Sequence, residues 1–518
     1  MPEQSFAEVL QLAHLPPEST TPFENVILPF TLRPHQVLGI QCGMYWDRFG
    51  LYHDVRTGKT IVMQLLALFY ANYRMRSTFL LPPILFDQFV DEYARIKGHN
   101  LNIVLIEGDA KRKMDMLKRF AMTPSEAPDI VVTTSQIFSG PFGAKRKQMI
   151  TPNWQYFAKF TDCLFFDECH LGLQDEESLT FRAIEGYLKY APNKRLVMSS
   201  GTPFRTELKS AYPAIRLKTP ELYNSRRHFD ATHVNYAQMV VKYNTPRGVG
   251  ERRITKVDSY KNIDLLTQNF YQKSHRVSKF DVLKFADPNV QVIPIHLSKP
   301  HIKLYKQLIT EQLLEVEDEL LDFREQSKLR HFALRLITAP EIAGPSVEIK
   351  ENMILKGIET IADTADVKSG GKLILFANYN SSVKYLRDKL SKYTPAVIYG
   401  GDDSSGEINR QEVARFKKTS TCNIAIINPQ AGGVGLTLGD VCQYAVFVEP
   451  VSSPGLFEQA AARILLDGQT APSSVYIFDV KNTWSSEAVR RLLNKDEEVQ
   501  DVMRDKKTLL QQLTGEIL

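Results

Sequence analysis

The sequence has few cysteines, no long hydrophobic run and no basic residue near its start, and each absence excludes a class of protein. The five cysteines (positions 42, 163, 169, 422 and 442) form no Cys-x-x-Cys pair, which favours buried, reduced thiols over disulfides or structural zinc. The longest apolar runs, such as residues 79–86, are too short to cross a bilayer. No Lys or Arg precedes Arg33, so no secretory signal is predicted. We therefore predict a cytoplasmic chain that is not secreted and has no membrane partner.

The composition is that of an ordinary globular protein. The chain has 518 residues, enough for two or three domains with full cores, and it is 43% hydrophobic and 24% charged. Its net charge of +5 permits a polyanionic partner but does not require one.

A strand, a tight turn and a helix are predicted around residues 53–60, which read His-Asp-Val-Arg-Thr-Gly-Lys-Thr. Free backbone N–H groups at a helix start, an ammonium group and a hydroxyl group are what a phosphate and its Mg²⁺ need. His53 stands where the usual phosphate-loop pattern has its first glycine. Taken alone, this loop therefore leaves a nucleotide site and a chance tripeptide equally open.

A second chemical signal is the apolar run 163–166 followed by Asp167 and Glu168. Ligands of open α/β folds bind at the carboxyl ends of strands, where these two carboxylates are expected. Asp167 would hold Mg²⁺ through water, and Glu168 would orient or deprotonate the attacking water. Together with the Gly-Lys-Thr turn, the pair indicates nucleoside triphosphate hydrolysis. A third run, 196–199, leads into Ser-Gly-Thr-Pro, which alone indicates a simple turn but would also suit a hydrogen-bonded switch.

Short apolar runs separated by helical or irregular stretches predict parallel sheets flanked by helices. The predicted strands are 78–81, 102–106, 129–134, 163–166 and 196–199, then 373–376, 396–399, 423–427, 445–448 and 475–478. The fold class is therefore α/β, with two lobes of similar build.

The stretch between the lobes differs in composition. Residues 205–264 hold twelve Lys or Arg against six Asp or Glu, a surplus of six that exceeds the +5 of the whole chain. Either a solvated face or a surface for a polyanion would explain this surplus of positive charge.

Residues 301–333 have apolar positions at helical spacing and predict one long packing helix. The predicted organisation is an extended lead-in (1–28), a first lobe (29–205), a basic and helical spacer (206–368), a second lobe (369–484) and a helical tail (485–518).

With these stretches in order, the chain resembles a superfamily-two nucleic-acid-dependent ATPase with two RecA-like P-loop lobes. The stretches that carry the resemblance are 32–36 (Q motif), 54–60 (motif I), 80–83 (Ia), 132–135 (strand-contacting motif), 167–170 (DExH box), 200–203 (III), 372–376 (IV), 430–438 (V) and 459–463 (start of VI).

The resemblance implies ATP and Mg²⁺ as cofactors and assigns roles to particular residues. Catalysis is assigned to Lys59, Asp167, Glu168 and Arg463, and Mg²⁺ binding to Thr60 and Asp167. Nucleotide binding is assigned to Arg33, Gln36, Thr57, Gly58, Lys59, Thr60 and Gly435. Contact with nucleic acid is assigned to Thr133, Thr134, Ser135, Gly432, Gly433 and Thr437. In this scheme ATP lies between the lobes, and their closing moves the polymer.

The spacer is similar to that of Swi/Snf-type double-stranded DNA translocases in residues 280–283, 297–298, 304–305 and 334–337. The DExH box with Cys169 is also similar to that of helicases that remodel branched DNA. These resemblances imply a helicase or translocase on DNA, double-stranded or branched in preference to single-stranded, with RNA less favoured, and we expect a monomer. The chain's compactness suggests a bacterial or viral origin.

One departure concerns motif VI, which carries two arginines three residues apart in the family. Arg463 fills the first place and Leu466 the second. Loss of such an arginine costs roughly 10³-fold or more in phosphoryl transfer. Arg463 acts alone, another cation substitutes, or hydrolysis is slow. Leu466 therefore leaves a catalytically weak DNA-binding scaffold open as an alternative. A second alternative is a P-loop kinase or metabolic NTPase without a polymer partner, which would explain Lys59 and the two carboxylates but not the motifs of the second lobe.

Overall fold

The first sheet has seven strands, and every neighbouring pair in it is parallel. In spatial order they are Ser274–Val277, Arg48–His53, Arg195–Ser199, Cys163–Phe166, Ser77–Leu80, Ile130–Thr133 and Ile103–Leu105.

The computed structural model describes residues 3–492 except 141–150, 204–207, 246–247, 285, 287, 312, 317–318, 323–325, 345–346, 348, 401–406, 431–437 and 452–453. Within these residues, the chain divides into one unit of residues 1–235 and 257–282 and a second of 236–256 and 283–518.

Helices of the first unit connect these strands and cover the sheet. They are Phe6–Leu12, Pro17–Thr20, Pro34–Tyr45, Lys59–Asn72, Phe86–Ala94, Ala110–Met122, Ser135–Ser139, Trp154–Phe160, Leu179–Tyr190, Ala211–Lys218, Arg226–His233, Ile263–Tyr271 and Lys279–Val282. The central strands are buried along their whole length, as continuous apolar runs require in a sheet covered on both faces.

The second sheet has six strands, again all parallel. Their spatial order is Asn289–Ile295, Ser474–Val480, Tyr444–Phe447, Leu373–Phe376, Ile424–Ile427 and Ala396–Ile398. The helices of this unit are Lys299–Glu311, Gln326–Thr338, Met353–Thr364, Asn380–Lys389, Glu407–Lys418 and Pro454–Ala461, with a further helical stretch at 484–492. The predicted α/β fold with two parallel-sheet lobes is confirmed. All ten predicted strands exist, with ends shifted by a few residues at most.

Residues 301–333 do not form the single long helix that their apolar spacing predicts. The helix Lys299–Glu311 ends, an antiparallel hairpin of Leu313–Val316 and Glu319–Asp322 follows, and a second helix covers Gln326–Thr338. Five acidic residues fall between positions 315 and 322. Like charges three and four residues apart destabilise a helix, so the acidic stretch favours the break.

The N-terminal residues also differ from the extended lead-in that their Pro and Ser residues predict. Phe6–Leu12 is a helix capped by the Ser5 hydroxyl, which accepts a hydrogen bond from the Ala7 N–H. Phe6, Val9 and Leu10 are buried in the core of the first unit.

The basic segment after the first lobe contains a long two-stranded hairpin, Val234–Thr245 with Gly248–Tyr260, where a helical region was expected. Two further strands from the predicted spacer, Ser274–Val277 and Asn289–Ile295, lie at an edge of the first and the second sheet respectively. Among the described residues, no helix is long and apolar enough to span a bilayer.

Candidate active site

The predicted phosphate loop joins the strand Arg48–His53 to the helix Lys59–Asn72. Gly58 has φ +84° and caps the helix, so the backbone turns left-handed just before it. The Thr57 N–H and hydroxyl group both donate to the Asp54 carbonyl, at 3.3 Å and 2.8 Å, which closes the loop. Lys59 is the first helical residue, is 8% exposed and donates to the same carbonyl at 3.4 Å. Thr60 follows it and is half-buried.

The helix Pro34–Tyr45 braces this loop from outside. His35 Nε2 lies 2.9 Å from the Thr57 carbonyl oxygen, and the Gln36 amide donates to the same oxygen at 3.2 Å. Gln36 Oε1 in turn accepts from the Arg33 N–H at 2.8 Å, and the Arg33 guanidinium donates to the Val282 carbonyl at 2.8 Å. His35 and Gln36 therefore hold the phosphate loop, and Arg33 holds Gln36 and Val282. Contact of Gln36 with a base and of Arg33 with the nucleotide stays a prediction.

A largely buried ion pair fixes the start of the loop. The Asp54 carboxylate accepts from Arg276 Nη1 at 2.8 Å and from the Lys279 N–H at 2.9 Å. Burial, the largest influence, would raise the pKa of Asp54, but Arg276 and Lys279 together outweigh it and lower the pKa. Sequence reasoning missed both residues, since nothing in the local sequence links position 276 with position 54.

Three histidine rings lie beside the same loop. His53, at the place of the first glycine, is fully buried, and its Nε2 lies 2.9 Å from His275 Nδ1. The His35 ring is 5.7 Å from that of His53. Burial, the neighbouring His275 and nearby cations lower the pKa of His53 well below its ordinary value, and burial lowers that of His275 to about 4. The cluster is therefore neutral near pH 7 and places no added charge behind the loop.

The predicted acidic pair follows the strand Cys163–Phe166. Asp167 and Glu168 are 6% and 5% exposed, and Glu168 has φ +47°. Burial and, second, the charge of Glu168 raise the pKa of Asp167 to about 6, although Lys59 acts in the opposite direction. The Asp167 carboxyl and the Lys59 ammonium thus interact across the strand ends of one sheet edge.

The Ser-Gly-Thr stretch, residues 200–202, contacts both the phosphate loop and the segment that carries the acidic pair. His170 Nδ1 lies 2.8 Å from the Ser200 hydroxyl and 3.4 Å from the Glu168 carboxylate. The Ser200 hydroxyl also accepts from the Thr202 N–H at 3.1 Å. Gly201 packs so tightly on the phosphate loop that an added Cβ would lie 3.0 Å from the Val55 nitrogen. These residues therefore form more than a simple turn, because they connect the acidic pair to the phosphate loop.

The residues assigned to nucleic acid in the first unit differ in exposure. The Thr133 side chain is fully buried at the end of the strand Ile130–Thr133, and Thr134 caps the helix Ser135–Ser139 by accepting from the Ile137 N–H at 3.1 Å. Ser135 is half-buried and is the most accessible of the three. Their contact with nucleic acid stays a prediction.

In the second unit, Arg463 lies in a 3₁₀ turn of Ala462–Ile464 and is 2% exposed, and its carbonyl accepts from the Leu438 N–H at 3.0 Å. Leu466, at the place of the second arginine, is 36% exposed. Gly432, Gly433, Gly435 and Thr437 lie outside the described residues.

The side chains present fit a divalent cation. Two carboxyl groups, Asp167 and Glu168, are buried side by side, and burial and then the charge of Glu168 raise the pKa of Asp167. A cation bound to Asp167 would favour its ionised form. Magnesium is commonly held by one or two protein oxygens together with substrate phosphates. Asp167 and the Thr60 hydroxyl would be those ligands.

Two family models match the chain. One, described as the SNF2-related domain, matches residues 50–340, more than half of the chain, and the other, the helicase conserved C-terminal domain, matches residues 354–465. A solved SWI2/SNF2 ATPase core of Sulfolobus solfataricus in complex with dsDNA is 15% identical, with a TM-score of 0.37 over 92% of this chain and 93% of that one.

Curated relatives include Drosophila proteins named DNA repair and recombination protein RAD54-like. That of Drosophila ananassae is 22% identical over 527 residues, covering 90% of this chain and 62% of the relative. That of Drosophila mojavensis is 24% identical over 364 residues, covering 64% and 44%. This chain therefore matches only part of the length of either relative.

The predicted bacterial or viral origin and cytoplasmic location are wrong. The relatives are eukaryotic proteins named for the repair and recombination of DNA. The predicted origin rested on the compactness of the chain, and the predicted location on its cysteines and on the lack of a secretory signal or membrane span. None of these features identifies the source organism or separates one intracellular compartment from another.

Proposed function

Because the chain belongs to the SNF2-related family of Swi/Snf-type DNA-dependent ATPases, we propose that it is a motor that couples ATP hydrolysis to movement on DNA. The observation that carries the proposal is the meeting of three sequence motifs at one sheet edge. The phosphate loop, the acidic pair and the Ser-Gly-Thr stretch are linked by the Lys59–Asp167 interaction, by the His170–Ser200 hydrogen bond and by the close packing of Gly201 on Val55.

Several groups at this sheet edge have a role in phosphoryl transfer. The N–H groups at the start of the helix Lys59–Asn72 and the Lys59 ammonium bind and orient the triphosphate. The Glu168 carboxylate, held near His170, orients the attacking water and accepts its proton. Thr60 and Asp167 would hold Mg²⁺, which would compensate the charge of the phosphates.

The hydrogen bonds between the acidic pair and the Ser-Gly-Thr stretch support coupling between ATP hydrolysis and the site that binds the polymer. When the γ-phosphate leaves, the contacts of Glu168 change, and His170 transmits the change to Ser200 and Thr202. Such a hydrogen-bonded chain has a purpose in a motor, whereas a metabolic NTPase without a polymer partner would not need it.

The polymer is DNA, double-stranded or branched in preference to single-stranded, and a monomer suffices to move on it. The names of the relatives and the surplus of cations in residues 205–264 support DNA as the polymer. The grip falls mainly on phosphates, so affinity decreases with salt and depends little on base sequence. In the second unit, we assign Arg463 to the transferring phosphate.

Two substitutions test the proposal. Glu168→Gln should keep ATP binding and lose turnover by roughly 10²-fold or more, because the water loses its base while the phosphate contacts remain. Lys59→Ala should lose both ATP binding and turnover. Binding of a fluorescent ATP analogue and ATPase rates with and without duplex DNA at low salt are measured for each variant.

The control is Lys111→Ala, an exposed lysine of the helix Ala110–Met122 that should behave as the wild type. A wild-type ATPase rate that DNA leaves unchanged would contradict the motor and favour an NTPase without a polymer partner. Tight DNA binding with no ATPase activity in the wild type or in any variant would favour the catalytically weak scaffold.

A further inference from the structure

The hairpin formed by Val234–Thr245 and Gly248–Tyr260 is long for a two-stranded element. Its strands of 12 and 13 residues extend about 40 Å at about 3.3 Å per residue. At the base, the Asn235 amide donates to the Ser259 hydroxyl at 3.1 Å, and the Lys261 N–H donates to the His233 carbonyl at 3.0 Å. These contacts fix where the hairpin leaves the first unit.

Both faces of the described part of the hairpin are exposed. Successive side chains of a strand point to opposite faces, and the neighbours Met239 and Val240 are 48% and 55% exposed. On the other strand, residues 252–256 are all exposed. Neither face is therefore buried by the rest of the chain along these residues.

An isolated two-stranded hairpin is at best marginally stable in water. Exposed apolar side chains on such an element, here Met239, Val240 and Ile254, indicate that a partner covers it.

The net positive charge of the hairpin favours a polyanionic partner. Residues 234–260 contain five Lys or Arg against two Asp or Glu. Arg252, Ile254 and Lys256 are two residues apart and so lie on one face of their strand, with an apolar side chain between two cations. Cations suit phosphates, an apolar side chain suits the base edges between them, and the major groove of B-DNA admits a two-stranded ribbon.

We propose that this hairpin is a DNA-binding element that enters a groove of duplex DNA, with Arg252 and Lys256 on phosphates and Ile254 against the groove. The proposal rests on the DNA motor proposed above and adds to it the element that grips the duplex. It concerns a site different from the phosphate loop and the acidic pair.

The test uses the salt dependence of binding to a fluorescein-labelled duplex several helical turns long, measured by anisotropy on the full chain. Each lost phosphate contact reduces the slope of log K against log salt by about 0.9. Arg252→Ala with Lys256→Ala should therefore reduce the slope by about 1.8. Ile254→Ser should weaken binding and leave the slope unchanged.

The matched control is Lys111→Ala with Lys118→Ala, which removes two exposed lysines from the helix Ala110–Met122 and should leave the slope as in the wild type. Melting temperatures show that each variant is folded. If the hairpin variant keeps the wild-type slope while DNA still stimulates the wild-type ATPase, the hairpin proposal is overturned, the motor stands, and a protein partner for the hairpin is favoured. If the wild type neither binds DNA nor responds to it, the proposed function itself fails.

Discussion

At Gly58, two constraints disfavour a side chain. Its φ of +84° is strained for any residue with a Cβ, and a Cβ would overlap the Gln36 amide nitrogen, so the Gln36 side chain would have to move. Gly58→Ala should therefore cost at least 1–2 kcal/mol by φ strain alone, on the order expected for a left-handed residue, plus the cost of displacing Gln36. We expect a lower melting temperature and weaker ATP binding, measured by calorimetry.

Two matched variants separate these costs. Gly370 has φ +106° with nothing within 4 Å of its Cβ position, so Gly370→Ala reports the backbone strain alone. Adding Gln36→Ala to Gly58→Ala removes the clash and leaves the strain. If Gly58→Ala and Gly370→Ala lower the melting temperature equally, the contact with Gln36 does not constrain the loop.

The raised pKa of Asp167 has a consequence for stability. With a pKa of about 6 in the folded chain against an ordinary 3.8, the folded state binds the proton more tightly than the unfolded state. Stability is therefore lost as pH rises from about 4 to about 6 and stays lost above it, by up to about 3 kcal/mol at 1.36 kcal/mol per pKa unit. Asp167→Asn should be more stable than the wild type near pH 8, with a difference that vanishes toward pH 4.

This prediction is checked by melting the nucleotide-free chain in the presence of a chelator across that pH range. Asp115→Asn, at an exposed position of the helix Ala110–Met122, provides the control and should show no such pH-dependent difference. An Asp167→Asn variant less stable than the wild type near pH 8 would show that the carboxylate is compensated within the protein.

Among the elements, the edge strand Ser274–Val277 supports the site directly. It pairs with Arg48–His53, the strand that enters the phosphate loop, and it supplies Arg276 to Asp54 and His275 to His53. Arg276→Ala should cost about 3 kcal/mol, the low end for breaking a buried pair, because the Lys279 N–H still binds the Asp54 carboxylate. ATP binding should weaken as well, since the loop loses its support.

Urea unfolding and calorimetry with ATP test this expectation. The Arg182–Glu177 pair is exposed by 57% and 79%, so Arg182→Ala should cost under about 1 kcal/mol. Combining Asp54→Asn with Arg276→Ala should recover part of the loss, because no uncompensated buried charge remains. Equal effects of Arg276→Ala and Arg182→Ala would contradict a supporting role for the edge strand.

For the whole molecule, the middle of the chain contributes to both units. The segment predicted as a spacer supplies the basic hairpin and, after it in sequence, one edge strand to each sheet. Residues 236–256 of the hairpin group with the second unit, while its base groups with the first. The surplus of six positive charges in residues 205–264 exceeds the net charge of the entire chain. Positive charge that attracts a polyanion is thus concentrated in this middle part of the sequence.

The sequence alone determined the two parallel sheets, the phosphate loop and the acidic pair, because apolar runs and turn residues act through neighbours along the chain. It did not reveal the edge strand Ser274–Val277, whose residues are mostly half-buried and form no apolar run. It also suggested one helix where the like charges of residues 315–322 favour a hairpin.

Only the tertiary structure decided what holds the site together. Arg276 and His275 each lie 222 positions from their partners, Asp54 and His53, and His170 lies 30 from Ser200. These contacts depend on which strands become neighbours in the sheet, and that depends on the packing of the whole core rather than on any local pattern.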